Sequence, residues 1–223
     1  YTITYVSNGE IVYEKSVLVG MPTPIISNPS KDADAQYTYT FVGWDTPIAE
    51  KVEANATYTA VYTNTVNKYK VTWVDEDGTP LETDHSVEYG SMPTYDGETP
   101  SKTGNNEVAY AFAGWTPTVD TVKGDVTYTA TYTTSNVYPV EFYIDNELVK
   151  TEYVVEGKEV TAYAPIREHY ALTAWTYNDA EYNFANKVTG AMKLNASWKL
   201  MEVVINVSAP NATYELQNNG VYA

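Results

Sequence analysis

A Gly-Trp pair followed about fourteen residues later by a Tyr-Thr-Ala-x-Tyr strand occurs twice in this chain, and an altered copy follows. Gly43-Trp44 leads to Tyr58-Thr59-Ala60-Val61-Tyr62, and Gly114-Trp115 leads to Tyr128-Thr129-Ala130-Thr131-Tyr132. In the third copy Ala174-Trp175 leads to Leu194-Asn195-Ala196-Ser197-Trp198. Such a period constrains the fold more than any other feature, because each copy is one supersecondary unit and function has to be sought in an array. The copies divide the chain into residues 1–66, 67–136 and 137–200, while residues 201–223 match none of them and read as a C-terminal β segment. That segment either opens a following domain or completes an edge of the third repeat.

Units of this size bury a modest fraction of their surface and need large apolar anchors. Trp44, Trp115 and Trp175 occupy equivalent positions, as do Tyr5, Trp73 and Phe142 in the opening strands. These six, with Trp198 in place of the closing tyrosine, are the expected core aromatics. The chain has no cysteine, so disulfides, thiolate zinc sites and thiol nucleophiles are excluded.

The 22 tyrosines, set among Thr and Val, make a strand composition. Tyr1, Ile3 and Tyr5 alternate onto one face, and Tyr37, Tyr39 and Phe41 do the same before Gly43-Trp44. Asn8-Gly9 and Asp77-Gly78 mark hairpin turns, with Ile144-Asp145-Asn146-Glu147 at the matching place in the third repeat. The second repeat is two residues longer here, as expected for an insertion at a hairpin tip. Gly20-Met21-Pro22, Gly90-Ser91-Met92-Pro93 and Gly157-Lys158 open the next connection, where prolines keep the chain extended. The best helical candidate is one turn over 30–36, with Ser30 as its cap. The expected fold is mainly β: three tandem, small, β-grasp-like repeats in an elongated array with little helix.

Net charge is −16, from 13 basic and 29 acidic residues, which repels nucleic acid and anionic lipid. No apolar run approaches the roughly 18 residues needed to span a bilayer, so no membrane insertion is expected in this segment. The chain opens on Tyr1 with no signal peptide, and reads as an excerpt of a longer protein.

The opening strand Tyr69-Lys70-Val71-Thr72-Trp73-Val74, the Asp-Gly turn, the Tyr89-Gly90 element, Gly114-Trp115 and the closing Thr127-Tyr128-Thr129-Ala130-Thr131-Tyr132 resemble the internalin B-repeats, or Listeria–Bacteroides repeats, of bacterial surface proteins. The third repeat, with Ala174-Trp175 and Val188-Thr189-Gly190, is similar to shorter members of that family. The resemblance covers about residues 1–199. It implies small β-grasp-like units in extracellular bacterial proteins, serving as stalks, spacers or contact surfaces, with no shared catalytic residues to carry over.

The functional alternative for the tryptophans is a glycan-stacking platform, which requires exposed, coplanar rings. Its best candidates are Trp175 with Tyr177 and Tyr182, because the two tyrosines have no counterparts in the other repeats. Asp75, Glu76 and Asp77 look like a cation loop, but the longer ligand pattern ending in Glu is missing, so a solvated hairpin tip is favoured. His85 and His169 fall at unrelated positions and support no triad. Lys70 lies in an opening strand, as a Lys–Asn cross-link would need, yet it has no counterpart in the first repeat. Four Asn-x-Ser/Thr sequons, at Asn55, Asn195, Asn206 and Asn211, need no explanation beyond an Asn- and Thr-rich composition. The expected function is a monomeric, non-catalytic, cofactor-free, metal-free stalk, at the bacterial cell surface or secreted. An adhesive module for host protein or glycan through the third repeat, and an accessory region of a secreted carbohydrate-active enzyme, are the alternatives.

Overall fold

The computed structural model describes residues 1–202; the reading of residues after 202 as a β segment, and the sequons at Asn206 and Asn211, lie outside them. The first repeat consists of β1 (Thr2–Ser7), β2 (Glu10–Ser16), β3 (Tyr37–Trp44) and β4 (Ala56–Val66). They form one sheet in the order β2-β1-β4-β3. The two central strands are parallel, with Tyr5 opposite Tyr58, and each outer strand is antiparallel to its neighbour. A parallel pair cannot be joined by a tight turn, so β2, the extended segment 17–36 and β3 together carry the chain across.

The second repeat has β5 (Lys68–Val74), β6 (Pro80–Glu88), β7 (Val108–Thr116) and the first part of β8 (Val126–Ile144). Trp73 stands opposite Tyr128 in the parallel β5–β8 pair. The last part of β8 opens the third repeat, with β9 (Glu147–Val155), β10 (Tyr170–Tyr177), β11 (Ala180–Glu181) and β12 (Met192–Leu200). There Phe142 stands opposite Leu194 in the parallel β8–β12 pair. All three repeats therefore place an opening strand beside a closing strand and flank them with intervening strands, the short β11 lying outside β10 in the third. Three hydrophobic clusters follow, one per repeat, each built on the inward residues of the opening strand. By contacts the described residues fall into two compact groups, Tyr1–Thr103 with Tyr110–Thr134, and Gly104–Ala109 with residues 135–202.

Residues 30–36 form no helical turn. The Asp34 carboxylate instead accepts the amide hydrogens of Gln36 (2.8 Å) and Tyr37 (2.7 Å), and Tyr39 donates its hydroxyl to the same group (2.8 Å). This Asx turn launches β3 directly and competes successfully with helix. Among the described residues no helix is long and apolar enough to cross a membrane.

The glycine of the Gly-Trp pair sits in a bulge. Register in β3–β4 shifts between Phe41 and Gly43, and Gly43 adopts φ +149°, with Gly114 at +125°. The third repeat shifts register at the same place, between Leu172 and Ala174, but Ala174 keeps an ordinary negative φ. The bulge thus has two backbone forms, and only one of them demands glycine. Replacing Gly43 or Gly114 by alanine should destabilise the chain by about 1–3 kcal/mol through backbone strain. No neighbour lies within 4 Å of the added methyl, so steric conflict should contribute nothing. Ala174→Gly should cost no more than about 1 kcal/mol. Chemical denaturation of the three variants checks this asymmetry.

Candidate functional site

Strand alternation sends Tyr5, Trp73 and Phe142 inward, and all three are essentially inaccessible to solvent. In each repeat the tryptophan of the recurring phrase meets that ring edge-on. Ring centroids are 4.7 Å apart for Tyr5–Trp44, 4.8 Å for Trp73–Trp115 and 4.9 Å for Phe142–Trp175. The closing strand adds a second ring in two repeats, Tyr58 at 5.1 Å from Tyr5 and Tyr128 stacked at 4.6 Å on Trp73. In the third repeat the smaller Leu194 takes that place.

The exchange of Tyr for Leu194 bears on the expected platform. Trp44 and Trp115 are half-buried, whereas Trp175 is only 3% exposed. Trp175 donates its indole N–H to the Tyr163 carbonyl (2.7 Å), and the Tyr163 ring lies nearly parallel to it at 6.0 Å. Tyr182 is 9% exposed and Tyr177 packs against the same core from its margin. The reading of Trp175, Tyr177 and Tyr182 as an open stacking platform is therefore corrected. An open depression of about 280 Å³ borders Trp175, Tyr182 and Phe184, with the exposed Ala162, Ala164, Thr173 and Glu181 on its rim. Burial raises the Tyr182 phenol above the usual tyrosine range.

Trp198 also departs from expectation. It is half-buried and belongs to no core cluster. Along β12, Leu194 and Ala196 face the core, and Trp198, next on that face, stands at its margin opposite Leu172. The Arg167 guanidinium lies 5.7 Å from its ring.

A recurring element was missed in the sequence. Val52, Val122 and Val188 are fully buried, each six residues before Tyr58, Tyr128 or Leu194. Each exchanges two backbone hydrogen bonds with the glycine corner of its own repeat. The N–H of Gly20, Gly90 and Gly157 donates to the valine carbonyl at 2.8, 2.7 and 2.8 Å, and the valine N–H donates to Met21, Ser91 and Lys158 at 2.9, 2.9 and 2.8 Å. These glycines have φ near +80°. The fixed offset from the closing strand is the signal that would have found the valines.

The acidic hairpin tip binds its own backbone. Asp75 accepts the Glu76 N–H (2.8 Å), Asp77 accepts the Thr79 N–H (2.8 Å), and Glu76 pairs with Lys102. The Thr79 backbone bond holds the Asp77 carboxyl below the usual range. Tyr132 donates its hydroxyl to Asp75 (2.7 Å), as Tyr62 meets Ser7 at the matching place (2.7 Å). Desolvation first, and then the Asp75 hydrogen bond, push the Tyr132 phenol up to about 12. His169 pairs with its neighbour Glu168 at the surface (3.2 Å), His85 and Lys70 are exposed, and none of them is brought to a common site. Among the described residues no group of three or more His, Asp or Glu is placed to hold a metal ion.

No protein-family model and no curated protein matches this chain. Among solved structures it is similar to Streptococcal High Identity Repeats in Tandem (SHIRT) domains 3-4 from a cell surface protein. Identity is 18%, the match covers 61% of this chain and 99% of that one, and the TM-score is 0.30.

The Tyr132 phenol carries a pH signature. Its pKa is raised on folding, so the stability it contributes is complete below the ordinary tyrosine value of about 10 and is lost as pH rises toward 12. Thermal melts should fall more steeply over that window for the parent chain than for Tyr132→Phe. The valine corner makes a second prediction: Val122→Ala should destabilise by about 1.5–3 kcal/mol, measured by urea unfolding.

Proposed function

We propose that this chain is a non-catalytic repeat region of a bacterial cell-surface or secreted protein, a stalk or spacer that presents an adjoining domain. The observation that carries the reading is that the side chains which recur from repeat to repeat are the ones that pack. The opening-strand aromatic, the tryptophan against it and the valine at the glycine corner return in every unit. A module repeated for binding would repeat its contact residues. Here the surface positions change instead: the first hairpin tip is Asn8-Gly9 in one repeat, Asp75–Gly78 in the next and Asp145-Asn146 in the third. The resemblance to B-repeats supports an extracellular bacterial setting, and the net charge of −16 keeps such a surface hydrated and disfavours adhesion to anionic partners. The adhesive alternative loses its aromatic platform, since Trp175 and Tyr182 are buried.

A spacer holds its ends apart. A compact chain of 223 residues would have a radius of gyration of about 17 Å. Small-angle scattering should give a value well above that, with a long tail in the distance distribution. A value near the compact figure would overturn the spacer reading.

A further inference from the structure

The start of the second repeat shows what covers such a corner. Tyr69 donates its hydroxyl to the Ala35 carbonyl of the first repeat (2.5 Å), and the Tyr89 N–H donates to the Asn67 carbonyl (2.9 Å). Asn67 is fastened in turn to the preceding unit. Its N–H donates to the Gln36 carbonyl (2.8 Å), its side-chain amide donates to the Asp34 carbonyl (2.7 Å), and it accepts the Thr38 hydroxyl (2.7 Å). The third repeat repeats the central bond: the Glu156 N–H donates to the Asn136 carbonyl (2.8 Å), and the Asn136 amide donates to the Glu156 carboxylate (2.9 Å). Both asparagines stand two residues before an opening tyrosine, Tyr69 or Tyr138. Both acceptor bonds come from the residue just before the corner glycine, Gly90 or Gly157.

The matching residues of the first repeat are Tyr1 and Val19. Tyr1 is 55% exposed and Val19 68%, whereas Tyr69 and Tyr89 are half-buried. Beside them Leu18, 78% exposed, replaces Glu88, which in the second repeat reaches Lys68 at 3.5 Å. Among the described residues the Val19 amide makes no bond like those of Tyr89 and Glu156. The corner therefore presents a phenol and a backbone donor in the arrangement that the first repeat covers at Tyr69 and Tyr89, with an exposed apolar side chain beside them.

We propose that the Tyr1–Leu18–Val19 corner is an interaction surface for another repeat of this kind, joined directly ahead of Tyr1. That unit would offer an asparagine carbonyl to the Val19 N–H and a loop carbonyl, in the role of Ala35, to the Tyr1 hydroxyl. Its occupant is identified by the joint between the first and second repeats, and the inference holds for a spacer and an adhesin alike.

The test lengthens the chain by a copy of residues 1–68 placed immediately before Tyr1, and compares it with a chain carrying a Gly/Ser extension of equal length. A second extension made from residues 69–137 sets its asparagine at the same distance from Tyr1 and guards against one copy failing to fold. Hydrogen exchange at the Val19 amide should slow about tenfold or more with either repeat, as one shielded backbone bond requires, and stay fast behind Gly/Ser. Tyr1→Phe in the lengthened chain should return part of that protection. Val19 exchanging equally fast behind both repeats and the Gly/Ser tail, while Tyr89 stays protected, would overturn the proposal.

Discussion

The edge-on contact between the opening-strand aromatic and the tryptophan of the bulge is the interaction on which each repeat depends. A mixed sheet of four strands has one face to bury, and a unit of about 65 residues has no helix here to bury it with. Large rings from different strands, meeting on that one face, solve the problem. The ring on the central strand fills the middle, and the tryptophan reaches it from β3, β7 or β10 because the bulge turns that strand at this point. The aromatic pair fixes the tryptophan-bearing outer strand on the central parallel pair, and the valine–glycine corner closes the remaining end.

This explains how the third repeat tolerates so much change. Leu194 replaces a tyrosine, and Trp175 fills the space with a full hydrogen bond to Tyr163. Ala174 replaces glycine because the bulge there keeps an ordinary φ. The contact survives at 4.9 Å although one of its two partners and most of its surroundings differ. A core defined by one geometric relation can change its residues more freely than one defined by their identity.

Much of the architecture was legible in the sequence because it is written in local terms. Period-two alternation located the opening strands, and Asn8-Gly9 located a hairpin whose two turn residues both have positive φ. The recurrence placed the Tyr5, Trp73 and Phe142 positions in the core. What failed was judgement about depth. Sequence divergence around Trp175 suggested an exposed functional site, but depth depends on the residue across the sheet, and Leu194 is contributed by a strand nineteen residues on. Trp198 failed for a related reason: it lies on the inward face but at the margin of the core. The turn expected over 30–36 failed because Asp34 binds the amides of Gln36 and Tyr37, a competition that helical propensity does not register.

The most direct test of the central contact is a double-mutant cycle on Trp73 and Trp115, replacing each by leucine singly and together and measuring unfolding free energies. The account predicts a coupling of about 0.5–1.5 kcal/mol beyond the summed effects, as for buried aromatic pairs in edge-on geometry. Effects that add within about 0.3 kcal/mol would contradict it, and would mean that the two rings fill the core independently.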